Sequence, residues 1–216
     1  MILRYCIRTA LLPALVLASS VPAASAAQTD DKFTIVFLGD SLTEGLGLEE
    51  SESFPSLLAA RYAAEGRDDI EIINAGVSGS TSASGLSRLQ WYARSQPDLL
   101  VLALGANDGL RGLDVTEMKA NLAETIEFAE ANGIDVALTG MLVPPNMGPE
   151  YTTSFAQVFP DLAAQYELPL LPFLLDGVAA VPELNQADGI HPNAEGAKIV
   201  AELVYEFLQP LLPAGS

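Results

Sequence analysis

The chain predicts an α/β fold: a parallel sheet of five strands with helices on both faces. Short apolar segments such as Phe33–Leu38 and Leu99–Leu104 lack polar alternation and read as strands buried on both sides. Helical segments follow them, so strand and helix alternate about five times along the 216 residues. The strands also end abruptly in small or polar residues, notably Gly39-Asp40-Ser41 and Gly105-Ala106-Asn107. Right-handed crossovers place the loops beginning at Gly39, Ala75, Gly105 and Met141 on one rim, where open α/β sheets hold their ligands.

The first strand, residues 33–38, is β-branched and aromatic. A glycine-containing loop follows it, then a helix over 53–65 with Pro55 in its first turn and Leu57, Leu58 and Tyr62 inward. The second strand, 70–74, leads through a small-residue turn, 75–80, to a helix over 81–94 carrying Leu86, Leu89 and Trp91. The third strand, 99–104, is apolar throughout and reads as central. An amphipathic helix over 115–131 stops at Asn132-Gly133, and a fourth strand spans 134–141. Three prolines in 143–149 exclude regular structure there. A helix over 152–166 precedes a last strand, 168–173, whose two prolines require a sheet edge. Residues 176–188 form a connection, and Asn193 caps a final helix, 194–208, with Ile199, Val200, Leu203, Val204 and Phe207 inward.

Half the residues are apolar, enough for one sizeable core, and the formal net charge is −18. Without a basic stripe to neutralise phosphates, this composition excludes nucleic acid and anionic membranes as partners. Residues 1–26 read as a secretory signal peptide: basic Arg4 and Arg8, an apolar run from Ala10, and Ala24-Ser25-Ala26 before the cut. The expected mature domain, 27–216, is then periplasmic or secreted, with no stable membrane insertion. The one cysteine, Cys6, leaves with the leader, so no disulfide, thiol nucleophile or cysteine-ligated metal is expected.

Ser41 stands where the first strand meets the rim. A serine becomes a plausible nucleophile only with a base, a group to orient that base, and donors for an oxyanion. His191 is the single histidine, so any imidazole base must be this one. Asp188, three residues earlier across Gly189, either orients the imidazole or simply begins a turn. Gly79 N–H and Ser41 N–H are candidate oxyanion donors. Asn107 offers a third, or else bonds its own backbone as loop asparagines do. The rival serine Ser78, in Gly76-Val77-Ser78-Gly79-Ser80, misses the Gly-x-Ser-x-Gly elbow. Gly45-Leu46-Gly47 lacks the third glycine of a dinucleotide site, and one histidine is too little for zinc.

Gly39-Asp40-Ser41-Leu42, Gly79, Gly105-Ala106-Asn107-Asp108 and Asp188-Gly189-Ile190-His191-Pro192, in this order and spacing, resemble the four blocks of the SGNH (GDSL) hydrolase family. Asn107-Asp108-Gly109-Leu110-Arg111-Gly112 and Leu170-Leu171-Pro172-Phe173 are similar to its bacterial thioesterase I, lysophospholipase and arylesterase subgroup. In Pro145-Asn146-Met147-Gly148, Met147 replaces a tyrosine frequent there. The resemblance implies a three-layer α/β/α sandwich of flavodoxin-like type and serine ester hydrolysis without metal or organic cofactor. It implies the triad Ser41, His191 and Asp188 and an oxyanion hole of Ser41, Gly79 and Asn107. The substrate would be a small ester: short- to medium-chain acyl or aryl, a thioester or a lysophospholipid. Leu42, Leu110, Val143, Pro145, Met147 and Ile190 are the candidate substrate contacts. Residues 141–144 and Met147 either line an acyl groove or pack the core at a strand end. A non-catalytic binding domain on this fold and a carbohydrate O-acetyl esterase are the alternatives. No sequence argument assigns a role to Asp40 or to the loop 43–52.

Overall fold

A computed structural model describes residues 32–214. The expected leader, 1–26, lies outside them. Five parallel strands form one sheet: β1 (Phe33–Gly39), β2 (Ile70–Gly76), β3 (Leu99–Ala103), β4 (Asp135–Thr139) and β5 (Leu170–Leu171), in the order β2-β1-β3-β4-β5. β3 is central and buried along its whole length. β2 and β5 are the edges; β2 exposes Glu71 and Asn74, and prolines flank the two residues of β5. The register Phe37↔Asn74 and Phe37↔Val101 brings the ends of β1, β2 and β3 level, which places their following loops together.

Among the described residues, seven α-helices connect or follow the strands: α1 (Ser41–Glu44), α2 (Phe54–Ala64), α3 (Gly85–Tyr92), α4 (Ala106–Leu110), α5 (Val115–Ala131), α6 (Pro149–Gln165) and α7 (Ala194–Leu208). α2 packs with α7, while α3 and α6 pack against α5, giving helical layers on the two faces of the sheet. Ile35, Val36, Phe37 and Leu38 of β1 are fully buried, as two-sided coverage requires. Among the described residues, no helix is long and apolar enough to cross a membrane.

Several boundaries differ from expectation for local reasons. The helix expected over 81–94 is α3 between two 3₁₀ turns, Ser82–Ser84 and Ala93–Ser95. Ser82 N–H and Oγ bond the Asp108 carboxylate, so that turn is set by a long-range contact. α6 begins at Pro149, three residues early, because proline is well suited to a first helical turn, and Pro145–Met147 is a 3₁₀ turn. β4 and β5 are shorter than predicted. Asn107 lies within a short helix, α4, instead of a loop. Trp91 is 64% exposed, with the Arg94 guanidinium 4.9 Å from its ring centroid. Ile199 is also exposed; Ala197, Val200, Ala201, Val204 and Leu208 form the inward stripe of α7.

Candidate active site

β1 ends at Gly39, and Ser41 is the first residue of α1. Asp40 caps that helix, its Oδ1 accepting from Leu42 N–H at 3.0 Å. α1 rests on the end of β2 at Gly76, where any Cβ would overlap the Glu44 backbone nitrogen. Ser41 is therefore held at the rim by a cap on one side and a close backbone approach on the other.

His191 Nε2 lies 2.8 Å from Ser41 Oγ, and His191 Nδ1 lies 2.7 Å from Asp188 Oδ2. Asp188 Oδ1 also accepts from the backbone N–H groups of Ile190 and His191 at 3.0 and 3.1 Å. The imidazole contact first, then these two N–H groups, pull the Asp188 carboxyl down to about 2. An ionised carboxylate only accepts, so the proton sits on Nδ1 and Nε2 is left to accept from Ser41 Oγ–H. The loop is braced from behind. Gln186 N–H donates to His191 O at 2.8 Å, Asn185 bridges Pro192 in antiparallel fashion, and Gln186 Nε2 donates to Leu46 O in the Ser41 loop at 2.6 Å. Asn193 caps α7 as expected, its Oδ1 accepting from Glu195 and Gly196 N–H.

Gly79 and Asn107 come to the same rim. Gly79 adopts φ +77°, the left-handed region that glycine enters without strain. Asn107 does not bond its own backbone: its Nδ2 donates to Asp40 Oδ2 at 3.3 Å. Asp40 is 1% exposed. Burial pushes its carboxyl up to about 6, against the opposing pull of the Leu42 N–H, the Asn107 amide and, more weakly, the His191 and Arg88 side chains. Arg88, from α3, donates to the carbonyls of Gly39 and Ala75 and ties the ends of β1 and β2. Asp108, also buried, accepts from Ser82 N–H and Oγ at 2.8 and 2.6 Å, and Asn121 Nδ2 donates to the same hydroxyl. Ser78 Oγ donates to Glu44, so the rival serine is engaged elsewhere while the single histidine faces Ser41.

A groove of about 420 Å³ opens beside Ser41 and His191. Leu42, Leu110, Val143, Pro145 and Ile190 line it, as do Met141, Leu142 and Pro144. Met147 does not. It sits in the 3₁₀ turn, turned toward Gly112, where its Cε would be 3.5 Å from an added Cβ. Sequence reading missed the opposite wall: Phe173, Leu175, Ala179 and Ala180, from the segment after β5. The available signal was the apolar character of 173–181 directly after a strand that ends on the same rim. Among the described residues, no group of three or more His, Cys, Asp or Glu side chains stands together as a metal site.

A serine, histidine and aspartate linked in series at the carboxyl rim of a parallel sheet, beside a glycine turn and an asparagine amide, define the SGNH class of hydrolase folds. The chain belongs to the GDSL-like lipase/acylhydrolase family, whose model matches residues 37–199. It is 43% identical over 180 residues to an esterase of Pseudomonas aeruginosa, TesA, covering 83% of this chain and 89% of the relative. It is 38% identical over 185 residues to an arylesterase of Vibrio mimicus, covering 85% and 91%. The crystal structure of the psychrotrophic esterase EstA from Pseudoalteromonas sp., inhibited by monoethylphosphonate, superposes with a TM-score of 0.80 at 34% identity, covering 83% of this chain and 98% of that one.

Proposed function

We propose that this hydrolase is a serine esterase in which Ser41 is the nucleophile, His191 the general base and acid, and Asp188 the group that orients and stabilises the imidazolium. The observation that carries the reading is His191, whose two ring nitrogens span Ser41 Oγ and Asp188 Oδ2 at 2.8 and 2.7 Å. His191 Nε2 takes the Ser41 proton as Oγ attacks the acyl carbon. The carbonyl oxygen becomes an oxyanion held by Ser41 N–H, Gly79 N–H and the Asn107 amide. His191 returns the proton to the leaving alcohol, and the acyl-enzyme forms. Water, deprotonated by the same imidazole, then releases the acid.

The groove walls are mostly apolar, and Ser41, Asn107 and His191 are among the few polar residues that line it. That distribution suits an uncharged acyl or aryl group with the ester at one end. The acidic chain disfavours polyanionic substrates. We therefore assign short- to medium-chain and aryl esters as the substrate class, with lysophospholipids and simple thioesters chemically accessible to the same site. Export to the periplasm or medium, with cleavage after Ala26, fits the composition of residues 1–26. N-terminal sequencing of the exported protein tests it.

The decisive assay is p-nitrophenyl ester hydrolysis by wild type and Ser41→Ala. Equal rates would refute the assignment. Across acyl lengths, the wild-type rate should peak at short to medium chains; a steady rise to palmitate contradicts the substrate class.

A further inference from the structure

The three segments that carry the oxyanion donors are not equally supported. Ser41 and Asn107 lie in α1 and α4, and the residues beside them, Asp40 and Asp108, are buried. Val77, Ser78 and Gly79 are all exposed, beyond the end of an edge strand. Two backbone bonds hold the ends of this turn: Val77 N–H to Gly39 O at 3.2 Å and Ser80 N–H to Val77 O at 3.1 Å. Neither involves the peptide between Ser78 and Gly79, whose N–H is the donor. Its direction depends on soft dihedrals on either side.

Two charged side chains hold the peptides that flank it. Glu44, the last residue of α1, accepts through one oxygen, Oε2, from Ser78 N–H at 2.7 Å and from Ser78 Oγ. Arg111, at the C-cap of α4, donates from Nη2 to Gly79 O at 2.9 Å. The preceding peptide is thus tied to the helix that bears Ser41, and the following one to the helix that bears Asn107. With both neighbours fixed, the Ser78–Gly79 peptide has little freedom to turn its N–H away.

We infer that Glu44 and Arg111 are positioning residues, a two-sided clamp that aims the Gly79 N–H at the oxyanion. This rests on the esterase reading above. Neither residue touches the substrate; each acts through the turn. An oxyanion donor contributes mainly in the transition state, so a looser clamp lowers kcat and leaves KM nearly unchanged.

The test is steady-state hydrolysis of p-nitrophenyl butyrate by the wild-type enzyme and by Glu44→Ala, Glu44→Gln, Arg111→Ala and the double alanine variant. Inhibition by an alkyl trifluoromethyl ketone, whose adduct with Ser41 carries an oxyanion, is measured in parallel. Losing a whole donor costs about 10²–10³ in rate, so loosening one should cost about tenfold for each single alanine variant. KM should stay within about twofold, and ketone affinity should fall in step with kcat. The double variant should approach the loss of the whole donor. Glu44→Gln should recover most of the rate, because one amide oxygen can accept both Ser78 hydrogens. Wild-type kcat in both single alanine variants overturns the clamp, as does unchanged ketone affinity or a Glu44→Gln no better than Glu44→Ala. Ser41→Ala in the same series keeps the two ideas apart. Its retention of activity sinks the esterase reading, whereas an inactive Ser41→Ala beside an unaffected Glu44→Ala sinks only the clamp.

Discussion

Asp40 and Asp188 flank the same serine–histidine pair in opposite environments. Asp188 lies on a loop with its side chain 44% exposed, and it accepts from the imidazole and two backbone N–H groups. Those donors hold its carboxyl at about 2. Asp40 is enclosed, accepts from Leu42 N–H and the Asn107 amide, and is pushed up to about 6 because burial outweighs both bonds. The exposed carboxylate is the one firmly ionised, because well-aimed donors outweigh a modest loss of water. The buried one is mostly ionised at pH 7 but loses its charge as pH falls through about 6. In the proposed mechanism, the charge that must persist through proton transfer thus sits where it is best solvated and bonded, and the enclosed carboxyl is left to orient an amide.

The largest effect that separates the two should come from Asp188→Asn. The asparagine amide can donate to Nδ1, which moves the imidazole proton to Nε2, facing Ser41. A fall in kcat on the order of 10⁴ is expected, read with a p-nitrophenyl ester at saturating substrate. Asn107→Ala comes next. Removing one oxyanion donor should lower kcat by about 10²–10³ with little change in KM. Asp40→Asn keeps the volume but offers one acceptor where two donors converge. A kcat loss of about tenfold, one unsatisfied bond's worth, should follow. If Asp40→Asn proves as damaging as Asp188→Asn, the division of labour between the carboxylates is wrong.

The smallest effect is on stability against pH, and its sign differs between the two. The raised pKa of Asp40 makes its contribution to folding greatest below about pH 4, and that contribution falls as pH rises through about 6. Asp188, whose pKa is lowered, stabilises the fold above its ordinary value near 3.8 and loses that effect as pH falls toward 2. Urea midpoints of wild type and each asparagine variant between pH 3 and 7 should show opposite slopes in the differences. Carboxyl NMR titration should place the Asp40 midpoint near 6, with Asp188 still ionised at pH 4. A shared midpoint would erase the contrast.

The Asp188–His191 pair was legible because its partners are three residues apart and a glycine turn between them is local chemistry. Ser41 and His191 are 150 residues apart, and their meeting was legible only because the chain contains one histidine. The pairing of Asn107 with Asp40, 67 residues away, had no such signal. From residue types, a backbone bond for Asn107 was an equal reading. The groove lining at 173–180 was only weakly marked: an apolar segment follows a strand that ends on the rim, but an apolar connection would read the same way. Met147 lies outside the groove lining for a related reason: its sequence neighbours Val143, Pro144 and Pro145 line the groove, but a 3₁₀ turn directs it to Gly112.

Strand identity, the central place of β3, the edge place of β5, the cap at Asn193 and the location of the rim were all determined by the sequence alone, because each depends on a few neighbouring residues or on chain connectivity. The tertiary structure alone decided what lies between the loops: the burial of Asp40, the Ser82–Asp108 and Glu44–Ser78 contacts, and the far wall of the groove. Those depend on strand order and register, which bring segments distant in sequence to within hydrogen-bond reach, a distance that local propensity does not encode.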